Sequence, residues 1–427
     1  MKRSPKYNAA VLIVLAFMFV TGSLAPSRLL ADDHGDRWVA AWQGSPTPGG
    51  TFYSPGCPSD VGLNGQTVRN VVFLSAGGES VRVRLSNAGG ANPLMVGSAS
   101  VAISAGGAAA AGRVHALQFA GQSSILIAAG GEAVSDPVKM HVHPLQILAV
   151  SVYLPGSTGP TTQHYFAAQT NYLAVGDATG SAAATPFIQA ISCWMFVSAV
   201  DVKGSSRVIG NLVALGDSIT DGYLSTTDAN HRYPDFLAQK LAARHGVTMS
   251  VSNAGIIGNE LLTIRPQLQF GYPTPARLGR DTLLQTGARA VILLEGINDI
   301  GDRSAKATDL IPVDLQIISA AHAAGLKIYG GTLLPFGGSN AIYGGDYGTP
   351  AGEQQRLAMN DWIRNSGAFD GVIDFDAALR DPSNPSFLLP AYVGDPLHPN
   401  DAGYQAMADT VDMDAIIHDV LKAKGAR

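Results

Sequence analysis

The chain is poor in cysteine and in charge. Only two cysteines, Cys57 and Cys193, occur in 427 residues. Two thiols that far apart form neither a metal-ligand spacing nor a dense disulfide framework. Charged residues make up 14% of the chain, the net charge is −5, and no cluster of Lys and Arg occurs. A general nucleic-acid binder needs a basic patch, so no nucleic-acid partner is expected. Past the first thirty residues no apolar run approaches the about 20 residues needed to span a bilayer. The 49 Gly and 24 Pro fall short of a low-complexity composition and point instead to many turns, while a 46% hydrophobic share supplies a core.

What is present begins with a leader. Lys2, Arg3 and Lys6 precede an apolar run over 9–20 and then small residues, the pattern of a secretory signal peptide, with an uncleaved anchor as the alternative. Cleavage after Ala25 or after Ala31 is compatible with the sequence. With residues 1–31 taken as the signal, the mature chain is expected to be secreted or periplasmic, with no stable membrane span. An oxidising compartment favours pairing Cys57 with Cys193. That bridge closes a loop of about 136 residues and contributes up to about 5 kcal/mol in the chain-entropy model. Two separate buried thiols remain the alternative, because spacing does not establish proximity.

The texture changes near residue 207. Residues 36–207 read as a β-rich, sandwich-like domain. Short Val/Ile/Leu-rich runs at 68–74, 81–85, 99–103, 124–127, 146–152 and 194–200 are separated by Gly-Gly pairs. In Val81-Arg82-Val83-Arg84-Leu85 the alternation puts both arginines on one face. The Ala/Gly-rich stretch 105–112 reads as a loose loop. From 208 to 427, strands at 212–215, 248–252, 290–294, 328–334 and 372–375 alternate with helices at 234–245, 310–324, 353–365 and 402–421. That alternation means a parallel sheet covered on both faces. The first region is nearly neutral, with 8 basic and 7 acidic residues, and the second is acidic, with 16 and 24.

Chemistry concentrates in four blocks of the second region. Gly216-Asp217-Ser218-Ile219 follows the first parallel strand, where α/β folds place their sites. Ser218 could equally be an ordinary helix cap. A calcium loop is excluded by Ile219 at a ligand position. Asp395-Pro396-Leu397-His398 places an acid and an imidazole three residues apart. A serine nucleophile needs such a base, and the base needs a carboxylate on its other nitrogen. A surface turn is the alternative for this block alone. Asn253-Ala254-Gly255-Ile256-Ile257-Gly258-Asn259 and Gly296-Ile297-Asn298-Asp299 each follow a strand. A glycine gives access to a backbone N–H and an Asn amide donates, which suits an oxyanion.

Together the four blocks resemble those of the SGNH, or GDSL-type, hydrolases, over about residues 208–424. The resemblance implies a flavodoxin-like three-layer α/β/α hydrolase domain. It implies Ser218 as nucleophile, His398 as base and Asp395 as the residue that orients it. The oxyanion hole would be the backbone N–H groups of Ser218 and Gly258 with the Asn298 side chain. Asp299 is expected to bond structurally. No metal or cofactor is called for. The expected activity is hydrolysis of short-chain carboxylic esters, small or carried on a polysaccharide. A lipase or lysophospholipase of the same family, or a non-catalytic carbohydrate-binding protein, is the alternative. The start Trp38-Val39-Ala40-Ala41-Trp42 and the β-rich region resemble a two-domain bacterial branch of xylan-associated arylesterases and acylhydrolases. His141 and His143 read as a surface strand pair, and the Gly/Tyr-rich loop 335–350 is expected to wall the pocket.

Overall fold

The structure, a computed structural model, describes residues 37–50 and 55–425. The leader assigned to residues 1–31 lies outside them. The β-rich region forms two main antiparallel sheets. One orders the strands Trp38–Gln43, Val197–Lys203, Gly78–Ser86 and Val138–Val142. The other orders Phe187–Ile191, Asn171–Val175, Gln66–Phe73, Ile147–Leu154, Ser98–Gly106 and Ala109–Ala116. Val81, Val83 and Leu85 of the first sheet share one core with Val68, Val72, Val150 and Val152 of the second, as in sheet-on-sheet packing. Arg82 and Arg84 fall on the opposite face, as the alternation requires, where Arg82 pairs with Asp201 at 2.8 Å. The structure joins Cys57 to Cys193, with Cα atoms 6.3 Å apart.

One reading of this region is corrected. Residues 105–112 are not a loose loop but the tip of a hairpin between Ser98–Gly106 and Ala109–Ala116. Gly107 and Ala108 make the turn between the paired Gly106 and Ala109, and Gly106 and Gly107 have φ of 97° and 55°. Their left-handed backbone is one glycine adopts without steric cost, and the alanines flanking it carry little β signal of their own.

The second region is built on five parallel strands: β1 (Val208–Gly216), β2 (Thr248–Gly255), β3 (Ala288–Leu294), β4 (Lys327–Gly331) and β5 (Gly371–Ile373). Their spatial order is β2-β1-β3-β4-β5, the flavodoxin-like order, and every neighbouring pair is parallel. β1 is buried along its whole length, as a central strand covered on both faces must be. Helices Tyr233–Ala243, Ala307–Ala323 and Pro350–Asn365 pack on the sheet through Leu237, Leu241, Leu310, Ile317 and Met359. The order reverses at β1, so the loops leaving β1 and β3 diverge and open a crevice at their C-terminal ends.

The sequence reading of the last elements needs two adjustments. The single helix expected over 402–421 is two, Asp401–Thr410 and Met413–Gly425. Asp412 starts the second by accepting the Ala415 N–H at 3.0 Å, a side-chain cap that helical periodicity does not reveal. Phe375 leaves the expected strand 372–375 because Asp374 caps a short helix, Phe375–Leu379.

The β-rich region and the parallel sheet meet through backbone and side-chain bonds. The Ala40 N–H donates to the Thr286 carbonyl at 2.9 Å, and the Val251 N–H to Ser75 Oγ at 3.0 Å. Gln43 donates to the Asp281 carbonyl at 2.8 Å, and Arg84 to Thr286 Oγ1 at 3.1 Å. A fragment of residues 205–427 leaves these groups without partners. It is expected to melt below the whole chain by about 5 °C or more, since each kcal/mol lost moves a domain of this size by about 2–4 °C. Thermal denaturation of both proteins checks this; a fragment as stable as the whole chain contradicts it.

Candidate active site

Three of the four blocks converge because they leave neighbouring strands. β1 ends at Gly216, and Ser218 opens the short helix Ser218–Asp221, with Asp217 accepting the Ile219 N–H at 2.9 Å as its cap. β2 ends at Gly255 and leads to Gly258, whose φ of +69° turns the chain left-handed. A Cβ on Gly255 would lie 2.2 Å from the Asp221 backbone nitrogen, so only glycine lets the two loops pack this closely. β3 leads through Gly296 into the helix Ile297–Arg303, with Asn298 in its first turn. The fourth block comes from the loop before the helix Asp401–Thr410.

The structure brings Ser218, His398 and Asp395 into one line. Ser218 Oγ lies 2.9 Å from His398 Nε2. His398 Nδ1 lies 3.0 and 3.1 Å from the two Asp395 oxygens. A carboxylate only accepts, so Nδ1 carries the proton and the Nε2 lone pair faces the serine. Asp395 is fixed by its own turn, accepting the Leu397 and His398 N–H groups at 2.8 and 2.7 Å. The Tyr343 hydroxyl adds a bond of 2.6 Å to its other oxygen. Burial pushes the Asp395 carboxyl up, but the His398 hydrogen bond and charge and the Tyr343 hydroxyl outweigh it, and it is held down at about 2.

Asn298 stands beside this line, and its amide is oriented at both ends. Its Oδ1 accepts the Tyr347 hydroxyl at 2.7 Å, and one N–H of Nδ2 donates to the Asn259 carbonyl at 2.9 Å. The second Nδ2 hydrogen is left for a ligand. The backbone N–H groups of Ser218 and Gly258 meet no acceptor among the described residues. Asp299 accepts the Leu261 and Leu262 N–H groups, both at 2.9 Å, and so holds the loop after Gly258. Burial pushes its carboxyl up to about 6, against those two donors.

Tyr343 and Tyr347 were not singled out by the sequence. They lie in the loop 335–350, whose Gly/Tyr content and strand-end position were the available signal. Arg277, a buried guanidinium that donates to the Gly216 and Ala254 carbonyls behind the site, was also missed, because nothing local marks it. His141 and His143 stack edge-on, with ring centroids 4.6 Å apart, and His141 pairs with the exposed Glu79. No group of three or more His, Cys, Asp or Glu able to hold a metal occurs among the described residues. No helix among them is long and apolar enough to cross a membrane.

A serine, an imidazole and a carboxylate in line, with unspent donors at the switch point of a doubly wound sheet, form an arrangement chemically able to carry out nucleophilic acyl transfer. Residues 214–406 match the model of the GDSL-like Lipase/Acylhydrolase family. Among solved structures, the chain is similar to a GDSL-like lipase from Bacteroides thetaiotaomicron at 19% identity and a TM-score of 0.36, covering 50% of this chain and 89% of that one. It is also similar to the native aryl esterase of M. smegmatis at 13% identity and a TM-score of 0.35, covering 51% and 99%. No curated protein matches the chain.

The sign of the Asp395 shift gives a test of Tyr343. A carboxylate held below its ordinary value of 3.8 stabilises the fold above that pH, and the contribution is lost as the pH falls toward 2. Tyr343→Phe removes one donor, so Asp395 titrates higher and acid unfolding sets in at a higher pH. Acid titration of the two proteins followed by near-UV circular dichroism checks this. Coincident curves would show that the hydroxyl does not hold the carboxylate.

Proposed function

We propose that the protein is a serine esterase that hydrolyses short-chain carboxylic esters through an acyl-enzyme on Ser218. The observation that carries this reading is the unbroken hydrogen-bond line from Asp395 through His398 to Ser218 Oγ. In the reaction, Ser218 Oγ attacks the ester carbonyl carbon and its proton passes to His398 Nε2. The oxyanion takes hydrogen bonds from the Ser218 and Gly258 backbone N–H groups and from Asn298 Nδ2. The C–O bond to the alcohol then breaks, and the alcohol leaves with the Nε2 proton. Water, deprotonated by the same nitrogen, releases the acid and restores Ser218. Asp395 stays ionised throughout and stabilises the imidazolium.

Aromatic rings close around the base. Tyr223 and Tyr343 stand with centroids 4.8 and 5.7 Å from the His398 ring, and Phe166 of the β-rich region packs on Tyr223 at 5.3 Å. Such a wall favours a small acyl group. The leader-like residues 1–31 favour an extracellular ester, and we propose acetyl groups on a plant polysaccharide as the substrate. A lipase reading draws on Leu262, Ile264 and Leu268, in the loop after β2, which are 36%, 46% and 40% exposed and offer apolar surface to a longer acyl chain.

Turnover of 4-nitrophenyl acetate against 4-nitrophenyl palmitate separates the two readings, and the acetate is expected to be the better substrate. Ser218→Ala is expected to fold and to lose about 10⁴-fold or more in kcat, the scale of removing a nucleophile. Preference for palmitate overturns the short-chain reading. Activity within about a hundredfold of the wild type in Ser218→Ala overturns the nucleophile.

A further inference from the structure

The β-rich region sends one titratable side chain into the bonding behind the reacting groups. His164 ends the short strand Thr162–His164 and is buried, with 4% of its surface exposed. Its Nδ1 lies 2.9 Å from the Ser45 carbonyl, and its Nε2 lies 2.9 Å from Asp221 Oδ1. A carbonyl can only accept, so Nδ1 carries a proton. A bond from Nε2 to the carboxylate then needs a second proton, so the pair is an imidazolium and a carboxylate. Burial alone would drive the charge off the ring, but the Asp221 charge and hydrogen bond and the Ser45 carbonyl outweigh it, and the imidazole is held above its ordinary range.

Asp221 is the joint between two of the loops that carry the site. It is the last residue of the short helix that Ser218 opens. Its Oδ2 accepts the Ile257 N–H at 2.9 Å, one residue before Gly258. One carboxylate therefore spans the loop of Ser218 and the loop of Gly258, and among the described residues its other oxygen is held by His164. Asp221 could keep Ile257 with a different rotation of its carboxylate, and among the described residues the His164 bond is what selects the rotation it has. A rotation of the carboxylate would move the Gly258 N–H relative to that of Ser218. A displacement of 1 Å at such donors costs about 10²-fold in rate.

Resting on the ester-hydrolase reading above, we propose that His164 is a positioning residue of the site, acting through Asp221 and Ile257 to set the Gly258 N–H against that of Ser218. The β-rich region is on this account part of the esterase machinery and not an appended module. Because the effect falls on donors that bind the oxyanion, it appears in kcat and not in KM.

Two conservative variants of the full chain separate this role from packing. In His164→Gln the side-chain amide reaches the former Nε2 position and can donate to Asp221. In His164→Asn it reaches only the former Nδ1 position and can serve Ser45 alone. With 4-nitrophenyl acetate, His164→Asn is expected to lose about 10–100-fold in kcat at a KM within about twofold of the wild type, while His164→Gln stays within about threefold. The rate at which a fluorophosphonate labels Ser218 should follow the same order, and this readout stands if the acetate is turned over too slowly to measure. A merely structural role predicts equal kcat in the two folded variants, and that result, or wild-type kcat in His164→Asn, overturns the proposal. If either variant fails to fold, the comparison is made with Asp221→Ala, which removes the acceptor of both His164 and the Ile257 N–H. Its kcat is expected to fall about tenfold or more at a KM within about twofold of the wild type; a smaller loss in that folded variant overturns the proposal. A wild-type chain in which Ser218 is not labelled at all overturns the hydrolase reading itself, a result distinct from any of these.

Discussion

A single buried guanidinium holds the end of the parallel sheet on which the site is built. Arg277, 1% exposed, donates to the carbonyl of Gly216 at the end of β1 at 2.9 Å and to that of Ala254 near the end of β2 at 2.6 Å. It also donates to Asn259 Oδ1 at 2.9 Å, fixing the loop just past Gly258. Its charge is met by Asp281 at 3.4 Å, and Glu295, whose carboxyl burial pushes well up, lies at 3.6 Å. A cation with no accessible surface is costly unless paired and fully bonded. Here it binds the carbonyls at the strand ends, that of Gly216 shared with the Ile256 N–H at 3.1 Å. Asn253 extends the same logic: its amide donates to the Thr220 carbonyl at 2.8 Å and accepts the Gly255 N–H at 2.8 Å. The loops of Ser218 and Gly258 are thus tied from beneath before any substrate arrives.

That constraint explains why the reacting groups need no long-range search for position. Asp395 and His398 are pre-set by their own turn, where two backbone N–H groups bind the carboxylate. Asn298 is pre-set by Tyr347 and Asn259. Electrostatic stabilisation of an oxyanion is effective when the donors are already aimed and cost no reorganisation during the reaction. The Asn298 amide is fixed in this way by bonds to groups outside the proposed reacting set. The aromatic side chains of Tyr223 and Tyr343 then pack on the imidazole and shield the line from water, which strengthens every charge interaction within it.

How much of this could be read in the sequence follows from how local each feature is. The strands were legible as Val/Ile/Leu runs, and Ser218, Gly258, Asn298, Asp395 and His398 stand in short blocks at strand ends or in one tight turn. Arg277, Tyr347 and His164 were not legible, because each acts across a long sequence separation on a partner with no complementary local mark. Arg277 meets Gly216 over 61 residues and His164 meets Asp221 over 57. The end of the chain was misread for the opposite reason. Helical periodicity runs on through 402–421, and only the local capping bond of Asp412 breaks it. The hairpin at Gly106-Gly107 shows a similar limit, since alanine-rich strands become strands through their partners and not through propensity.

The account stands on Ser218 forming a covalent bond with the acyl group. Rapid acid quenching of the wild-type chain during turnover of 4-nitrophenyl acetate, followed by peptide mass mapping, tests this directly. The account predicts one acetyl group, carried on the peptide that contains Ser218 and assigned to that residue by fragmentation, together with a burst of 4-nitrophenol equal to the enzyme present. Turnover with no acylated peptide and no burst, or an acetyl group on another residue that is kinetically competent, would contradict it.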